Sequence, residues 1–167
     1  MLAIWQTARD LGLAVSCVGN SQSFAAPEFF ELVEEFADLP IVLEHFGGTS
    51  LPDLSEETSR ERLRVFDLAK HPNVYMKVPG LGELTPRSRR LSGIGVPLDS
   101  SPKLLQQGLE RFGADRLMWG SDFPPVASRE GYSNALAWVR SALGDQPLQA
   151  QSQIFGATAQ RVFRLQN

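Results

Sequence analysis

Two kinds of hydrophobic pattern alternate along the chain: short continuous apolar runs, and longer stretches with an apolar residue at every third or fourth position. The short runs, which have the length and composition of buried parallel strands, cover residues 13–18, 40–45, 73–78 and 116–121. The periodic stretches predict amphipathic helices over residues 2–11, 27–37, 56–70, 102–112, 131–142 and 149–163.

Glycine and proline punctuate these segments where an alternating fold requires it. Gly12 and Gly113 follow predicted helices, and Pro27 opens one, which are the positions each residue favours. After a first helix, strand and helix alternate four times, and an extra helix follows. This order predicts right-handed parallel crossover units. Two architectures fit: an open doubly wound sheet, or half of an eight-stranded (β/α)8 barrel.

Composition narrows the class of protein. The chain has 167 residues, of which 43% are hydrophobic and 21% charged. These values are typical of a globular protein, and residues 1–167 are expected to form one domain. A net charge of −3 argues against a nucleic-acid binder. The single cysteine, Cys17, cannot form an internal disulfide. Because neither a signal peptide nor a membrane-spanning run is recognisable, we expect a cytoplasmic protein without a membrane partner.

The strongest candidate for chemistry is Asp122. It follows the apolar run Leu117–Trp119, and Pro124 and Pro125 come directly after Phe123. Proline cannot donate ladder hydrogen bonds, so Asp122 is expected at the carboxyl end of the last strand. Catalytic residues of alternating barrels lie at that edge. The alternative is a carboxylate that only shapes the turn.

A histidine ends the second predicted strand. His45 follows Ile41–Leu43 and should emerge at the same edge as Asp122. A histidine and a carboxylate there can activate water, either through a divalent metal or as a direct acid–base pair. A capping or core histidine is the alternative. Glu44, one position earlier, is expected on the opposite face of the strand.

Several other ionisable residues are weaker candidates for a role in the site. His71 precedes the third strand and is expected to be structural, at the opposite edge of the sheet. Cys17 is interpreted as a small buried hydrophobe, and Lys77 must either pair or extend its charge to solvent. Arg87, Arg89 and Arg90 lie in the irregular stretch 81–101. Such a loop above the site can hold a substrate carboxylate through bidentate hydrogen bonds, although a solvated charge cluster is the alternative.

Four segments together resemble the amidohydrolase-2 family. They are His45–Gly48, Asn73–Gly80, Asp115–Pro124 and Ile154–Phe163. The Gly-Ser-Asp-Phe-Pro sequence around Asp122 is the most specific part. The family includes lactone and dicarboxylate hydrolases as well as metal-dependent decarboxylases.

The resemblance implies a fold and a set of roles. The fold is a TIM-like (β/α)8 barrel of which this chain would be the C-terminal half, strands 5 to 8. His45 matches the histidine that ends strand six and polarises substrate or water. Asp122 matches the aspartate that ends strand eight, the family's general base and a metal ligand where metal is bound. A hydrolase of a small lactone or carboxylate-bearing substrate follows, with Arg89 or Arg90 holding a carboxylate.

The chain also departs from the family pattern. It has no His-x-His pair, and residues 15–20 lack the histidine that ends strand five in many metal-dependent members. This absence resembles the lactonase branch, so the expected cofactor is one divalent metal, such as zinc held by Asp122 and His45, or none. The resemblance further implies a truncated domain with little activity alone, partnered by a second copy or a missing N-terminal half. A non-catalytic, self-associating remnant and a metal-dependent decarboxylase remain alternatives.

Overall fold

Four parallel strands form one sheet in this computed structural model, which describes residues 2–49, 56–84 and 103–165. The strands are β1 (Val15–Cys17), β2 (Ile41–Leu43), β3 (Val74–Val78) and β4 (Leu117–Trp119). They lie side by side in the order β1-β2-β3-β4. The predicted parallel α/β architecture is confirmed.

Side-chain alternation gives the sheet two different faces. The face covered by helices carries the main core and includes Ile41, Leu43, Met76 and Leu117, all fully buried. The opposite face holds a smaller cluster in which Val42 and Met118 pack against Val162 of the C-terminal helix. Residues that continue this second face beyond the strand ends are therefore the ones available to a site.

The predicted helices are present, with two changes of geometry. The segment 56–70 begins as helix α5 (Glu56–Leu63) and continues as a 3-10 helix, Arg64–Lys70. The last helix contains a π-helical segment, Gln153–Ala157. The remaining longer helices are α1 (Leu2–Asp10), α3 (Pro27–Glu35), α7 (Lys103–Phe112) and α9 (Tyr132–Ala142), and the pieces flanking the π segment are α10 (Leu148–Ser152) and α11 (Thr158–Phe163).

Short helical turns after the strands were not predicted. Each has five residues or fewer, too few for an amphipathic period to be recognised. They are α2 (Ser21–Phe24), α4 (His45–Gly48), α6 (Leu81–Leu84) and α8 (Pro125–Arg129), and a 3-10 turn, Ala114–Arg116, precedes β4. Three of them, α4, α6 and α8, follow β2, β3 and β4 and position the candidate site.

Across the described ranges, no helix combines the length and apolar character that crossing a membrane requires.

Candidate active site

Three ionisable side chains meet at the carboxyl edge of the sheet. His45 follows β2, Glu83 lies in α6 after β3, and Asp122 follows β4. One potential metal-ligand atom from each side chain lies within 4.8 Å of those of the other two. His45 and Asp122, but not Glu83, line an open cavity of about 360 Å³ that also contacts Glu44 and Lys77. The sequence anticipated His45 and Asp122 but missed Glu83.

His45 reaches the cavity because the chain leaves the strand in a left-handed turn. By strand alternation its side chain would share the helix-covered face of Ile41 and Leu43. Instead φ is 51° at His45 and 52° at Phe46, a conformation unusual outside glycine. Fully buried Phe46 packs edge-on against Phe66, with ring centroids 5.6 Å apart, and anchors this turn.

The imidazole of His45 is paired with a carboxylate. Its Nδ1 lies 2.8 Å from Oε1 of Glu83, a distance that suits an N–H donating to the carboxylate. Such a partner orients the ring and fixes which nitrogen carries the proton. The His45 side chain is 36% exposed and that of Glu83 12%, so Glu83 supports the ring from behind while His45 faces the cavity.

Asp122 also sits in a left-handed backbone conformation, with φ of 57°. The side chain is 21% exposed and lines the cavity beside Ser121 and Phe123. Its Oδ2 accepts a hydrogen bond of 3.0 Å from Nη1 of Arg129. The carboxylate is therefore open to the cavity on one side and held by a cation on the other.

Arg129 is the second residue that sequence reasoning missed. Its Nη1 also lies 3.4 Å from Oε2 of Glu83, while Nε and Nη2 both donate to the carboxylate of Glu130. Burial by itself lowers the pKa of the Arg129 guanidinium, but the hydrogen bonds to Glu130 and Asp122 and the charges of Glu130 and Glu83 outweigh it and raise that pKa. One permanent cation thus joins three carboxylates.

The seat of the Glu130 side chain explains why residues 80 and 82 are glycines. The Glu130 side chain is only 1% exposed. A Cβ at Gly80 would lie 2.2 Å from its Oε1, and one at Gly82 would lie 2.5 Å from its Oε2. The Gly-Leu-Gly-Glu sequence after β3 and the Arg-Glu pair after the prolines were the signals available. Neither indicates a contact between two loops that are about 50 residues apart.

The expectation that Glu44 and His45 face opposite sides of the sheet was wrong. Glu44 lines the same cavity as His45, because alternation from Val42 places it on the site-facing side and the left-handed turn brings His45 round to join it. Its Oε1 lies 2.8 Å from Nζ of Lys77 and accepts from the hydroxyl of Ser16. Lys77 is therefore a paired cation at the wall of the cavity.

The minor candidates are placed as follows. Burial raises the pKa of the Cys17 thiol to about 11, with a smaller contribution from the charge of Glu44. His71 packs edge-on against Phe30 at the start of β3, and its backbone oxygen accepts from Arg116. Arg87, Arg89 and Arg90 lie outside the described residues, so their substrate-binding role stays a prediction.

The donor set of the cluster fits a divalent metal. One imidazole and two carboxylates are ligands that zinc accepts, and catalytic zinc sites commonly combine three protein ligands with one open position. The open side of this cluster faces the cavity. The same atoms are also engaged by Arg129 and by the His45–Glu83 hydrogen bond, so an ion here would compete with contacts within the protein.

The chain is similar in sequence to proteins named as lactone hydrolases. It is 29% identical over 152 residues to an L-fucono-1,5-lactonase of Burkholderia ambifaria, covering 83% of this chain and 46% of that protein. It is 33% identical over 88 residues to a 4-sulfomuconolactone hydrolase of Rhizobium radiobacter, covering 53% of this chain and 26% of that protein.

A solved structure gives the same picture of the fold. The crystal structure of a zinc-bound amidohydrolase from Burkholderia multivorans superposes with a TM-score of 0.77 at 22% identity, covering 97% of this chain and 56% of that one. The chain therefore spans about half the length of the relatives it matches, or less. The sequence profile of the amidohydrolase family matches residues 1–165, and the chain belongs to this family.

Proposed function

We propose that this chain carries the water-activating half of a hydrolase acting on a small lactone or carboxylate-bearing substrate. The observation that carries the proposal is the pairing of Asp122 with His45 at one cavity. The relatives named as lactone hydrolases support the substrate class. In the same proposal, the four strands correspond to strands 5 to 8 of a (β/α)8 barrel.

The chemistry follows from the two side chains. Asp122 takes a proton from water as the water oxygen bonds to the lactone carbonyl carbon. In its doubly protonated form, His45 donates a hydrogen bond from Nε2 to the carbonyl oxygen as negative charge develops there, while its Nδ1–H stays on Glu83. When the ring C–O bond breaks, Asp122 returns its proton to the leaving alkoxide oxygen. Arg129 keeps the Asp122 carboxylate in place between these steps.

The proposal also assigns side chains to a metal ion and to the substrate carboxylate. His45, Glu83 and Asp122 would hold a divalent ion, which when bound supplies Lewis-acid polarisation of water and carbonyl. Lys77 stands at the wall of the cavity, and Arg89 and Arg90 remain the proposed ligands of a substrate carboxylate.

The test measures the hydrolysis of a panel of sugar δ-lactones and muconolactone-type lactones, with and without zinc. The acid that each reaction releases is the signal. We expect Asp122→Asn to lower the rate by about 10²–10⁴-fold, the usual contribution of a general base. Asp67→Asn, which neutralises an exposed carboxylate on the 3-10 helix after α5, is the matched control and should leave the rate unchanged.

Equal rates in Asp122→Asn and the wild type would contradict the proposed role. No turnover by the folded chain on any of these lactones would favour the second candidate, a self-associating remnant of a larger barrel. The specific observation behind that candidate is that, among the described residues, β1 pairs only with β2 and β4 pairs only with β3.

A further inference from the structure

Arg129 occupies the centre of the candidate site without lining its cavity. Its side chain is 8% exposed, and a single nitrogen, Nη1, lies 3.0 Å from Asp122 and 3.4 Å from Glu83. These are two of the three residues whose donor atoms form the metal-compatible cluster. The guanidinium thus stands beside the position that a divalent ion would take.

The guanidinium is held rigidly. Its other two nitrogens donate to the buried carboxylate of Glu130, and that carboxylate is seated against Gly80 and Gly82. The backbone is fixed as well, because Val126 of α8 is fully buried and the Asn134 side chain donates to the Glu130 carbonyl oxygen at 2.9 Å. A buried arginine fixed in this way cannot simply swing out when a ligand arrives.

The charges around this position predict how Arg129 affects the binding of a divalent ion. Asp122 and Glu83 would each attract a divalent ion, and Arg129 already neutralises part of that charge. A second cation must enter close to a guanidinium that does not lose its proton, and the two cations repel because Arg129 and both carboxylates are largely shielded from water. Glu130 relieves this repulsion only in part, since its carboxylate binds Nε and Nη2 whereas Nη1 is the nitrogen that faces the cluster.

We propose that Arg129 is a positioning residue that acts as the built-in counter-cation of Asp122 and Glu83, so that a divalent ion enters the site only in competition with this guanidinium. The inference rests on the proposed His45–Glu83–Asp122 cluster but not on lactone hydrolysis. It assigns control over metal entry at this site to one residue of this chain.

The experiment measures zinc affinity of the full 167-residue chain by competition with a chromophoric chelator. Removing the guanidinium in Arg129→Gln should tighten zinc binding by at least about tenfold, a conservative figure for losing a nearby positive charge. Arg129→Lys keeps the charge and should stay within about threefold of the wild type. Thermal unfolding followed by circular dichroism verifies that each variant is folded.

A double variant protects the test against misfolding. Arg129→Gln leaves Glu130 as an unpaired buried charge, which can destabilise the fold. Arg129→Met combined with Glu130→Gln removes the cation and its buried partner together and leaves net charge unchanged. It should still bind zinc more tightly than the wild type, by less than Arg129→Gln because the attraction of Glu130 is lost as well. Arg111→Gln, on an exposed position of α7, changes net charge as Arg129→Gln does and should have no effect.

The outcomes separate the two proposals. The inference is overturned if neither Arg129→Gln nor the double variant binds zinc more tightly than the wild type, or if zinc binding is undetectable in every variant. The gain should also disappear when His45→Ala is added to Arg129→Gln, and its persistence would place the ion elsewhere and overturn the inference too. Tighter zinc binding without any lactone turnover would instead contradict only the proposed function.

Discussion

At the scale of single residues, the site depends on backbone conformation as much as on side-chain identity. His45 and Asp122 both have positive φ, and both leave their strands at the point where alternation would otherwise fix their direction. This is why Glu44 and His45, although adjacent, line one cavity. Strained conformations of this kind are maintained only when the surrounding packing requires them, and buried Phe46 supplies that packing next to His45.

The thiol of Cys17 gives a pH-dependent prediction at this scale. With its pKa raised to about 11, the folded protein holds the thiol protonated at pH 8. We expect alkylation by iodoacetamide at pH 8 to be about a hundredfold slower than for an ordinary cysteine, since only the thiolate reacts. Reaction should accelerate as pH rises toward 11.

Mass spectrometry of timed samples measures the labelling rate. The same chain unfolded in urea is the control and should react at the ordinary rate. Equal rates in the folded and unfolded chain would contradict the partial burial of Cys17 against the core.

At the scale of elements, the turns after β2, β3 and β4 bring the site together. The turn α6 carries Glu83 and places Gly80 and Gly82 against Glu130, while α8 carries Arg129. Phe46 anchors the turn α4. Its ring packs so closely on Gly108 of α7 that a Cβ added to Gly108 would lie 2.3 Å from Cζ of Phe46. Loop residues thus reach their positions through contacts with distant helices and turns.

Gly80→Ala tests the fit between β3 and the Glu130 seat. Gly80 does not have positive φ, so the added Cβ acts by sterics alone, at 2.2 Å from Glu130 Oε1 and 2.9 Å from the Ala135 Cβ. We expect the free energy of unfolding to fall by about 1–3 kcal/mol, as for other overpacked interiors. Urea unfolding followed by circular dichroism measures it.

Gly156→Ala is the matched control, because a Cβ there meets nothing within 4 Å. Its effect should stay within about 0.5 kcal/mol, as is usual for substitutions without a steric conflict. Equal stability of the two variants would mean that the Glu130 seat has room the structure does not show.

At the scale of the whole molecule, the main feature is that the described residues leave both outer strands of the sheet with one partner each. Within the described ranges, β1 pairs only with β2 and β4 pairs only with β3. Apolar side chains near these strands are exposed, Val18 at 76% and Phe123 at 68%. Unprotected strand edges of this kind invite pairing with another chain.

We therefore expect the purified chain to form a discrete dimer, with twice its mass of 18.4 kDa, in light scattering on a sizing column. Val18→Lys places a charge at the β1 edge and should shift the population toward monomer. Leu148→Lys, at a residue 83% exposed in α10, is the control and should leave the dimer intact. A monomeric wild type would contradict this expectation.

The sequence by itself determined the parallel α/β class, the strand positions, and His45 and Asp122 as strand-end residues, because apolar runs, helical periodicity and proline stops are local signals. Only the tertiary structure decided that Glu83 supports His45, that Arg129 joins Asp122 to Glu83, and that Glu44 faces the site. Those contacts join positions about 40 residues apart, or depend on left-handed turns stabilised by distant packing. Local patterns carry no record of which loops meet in space.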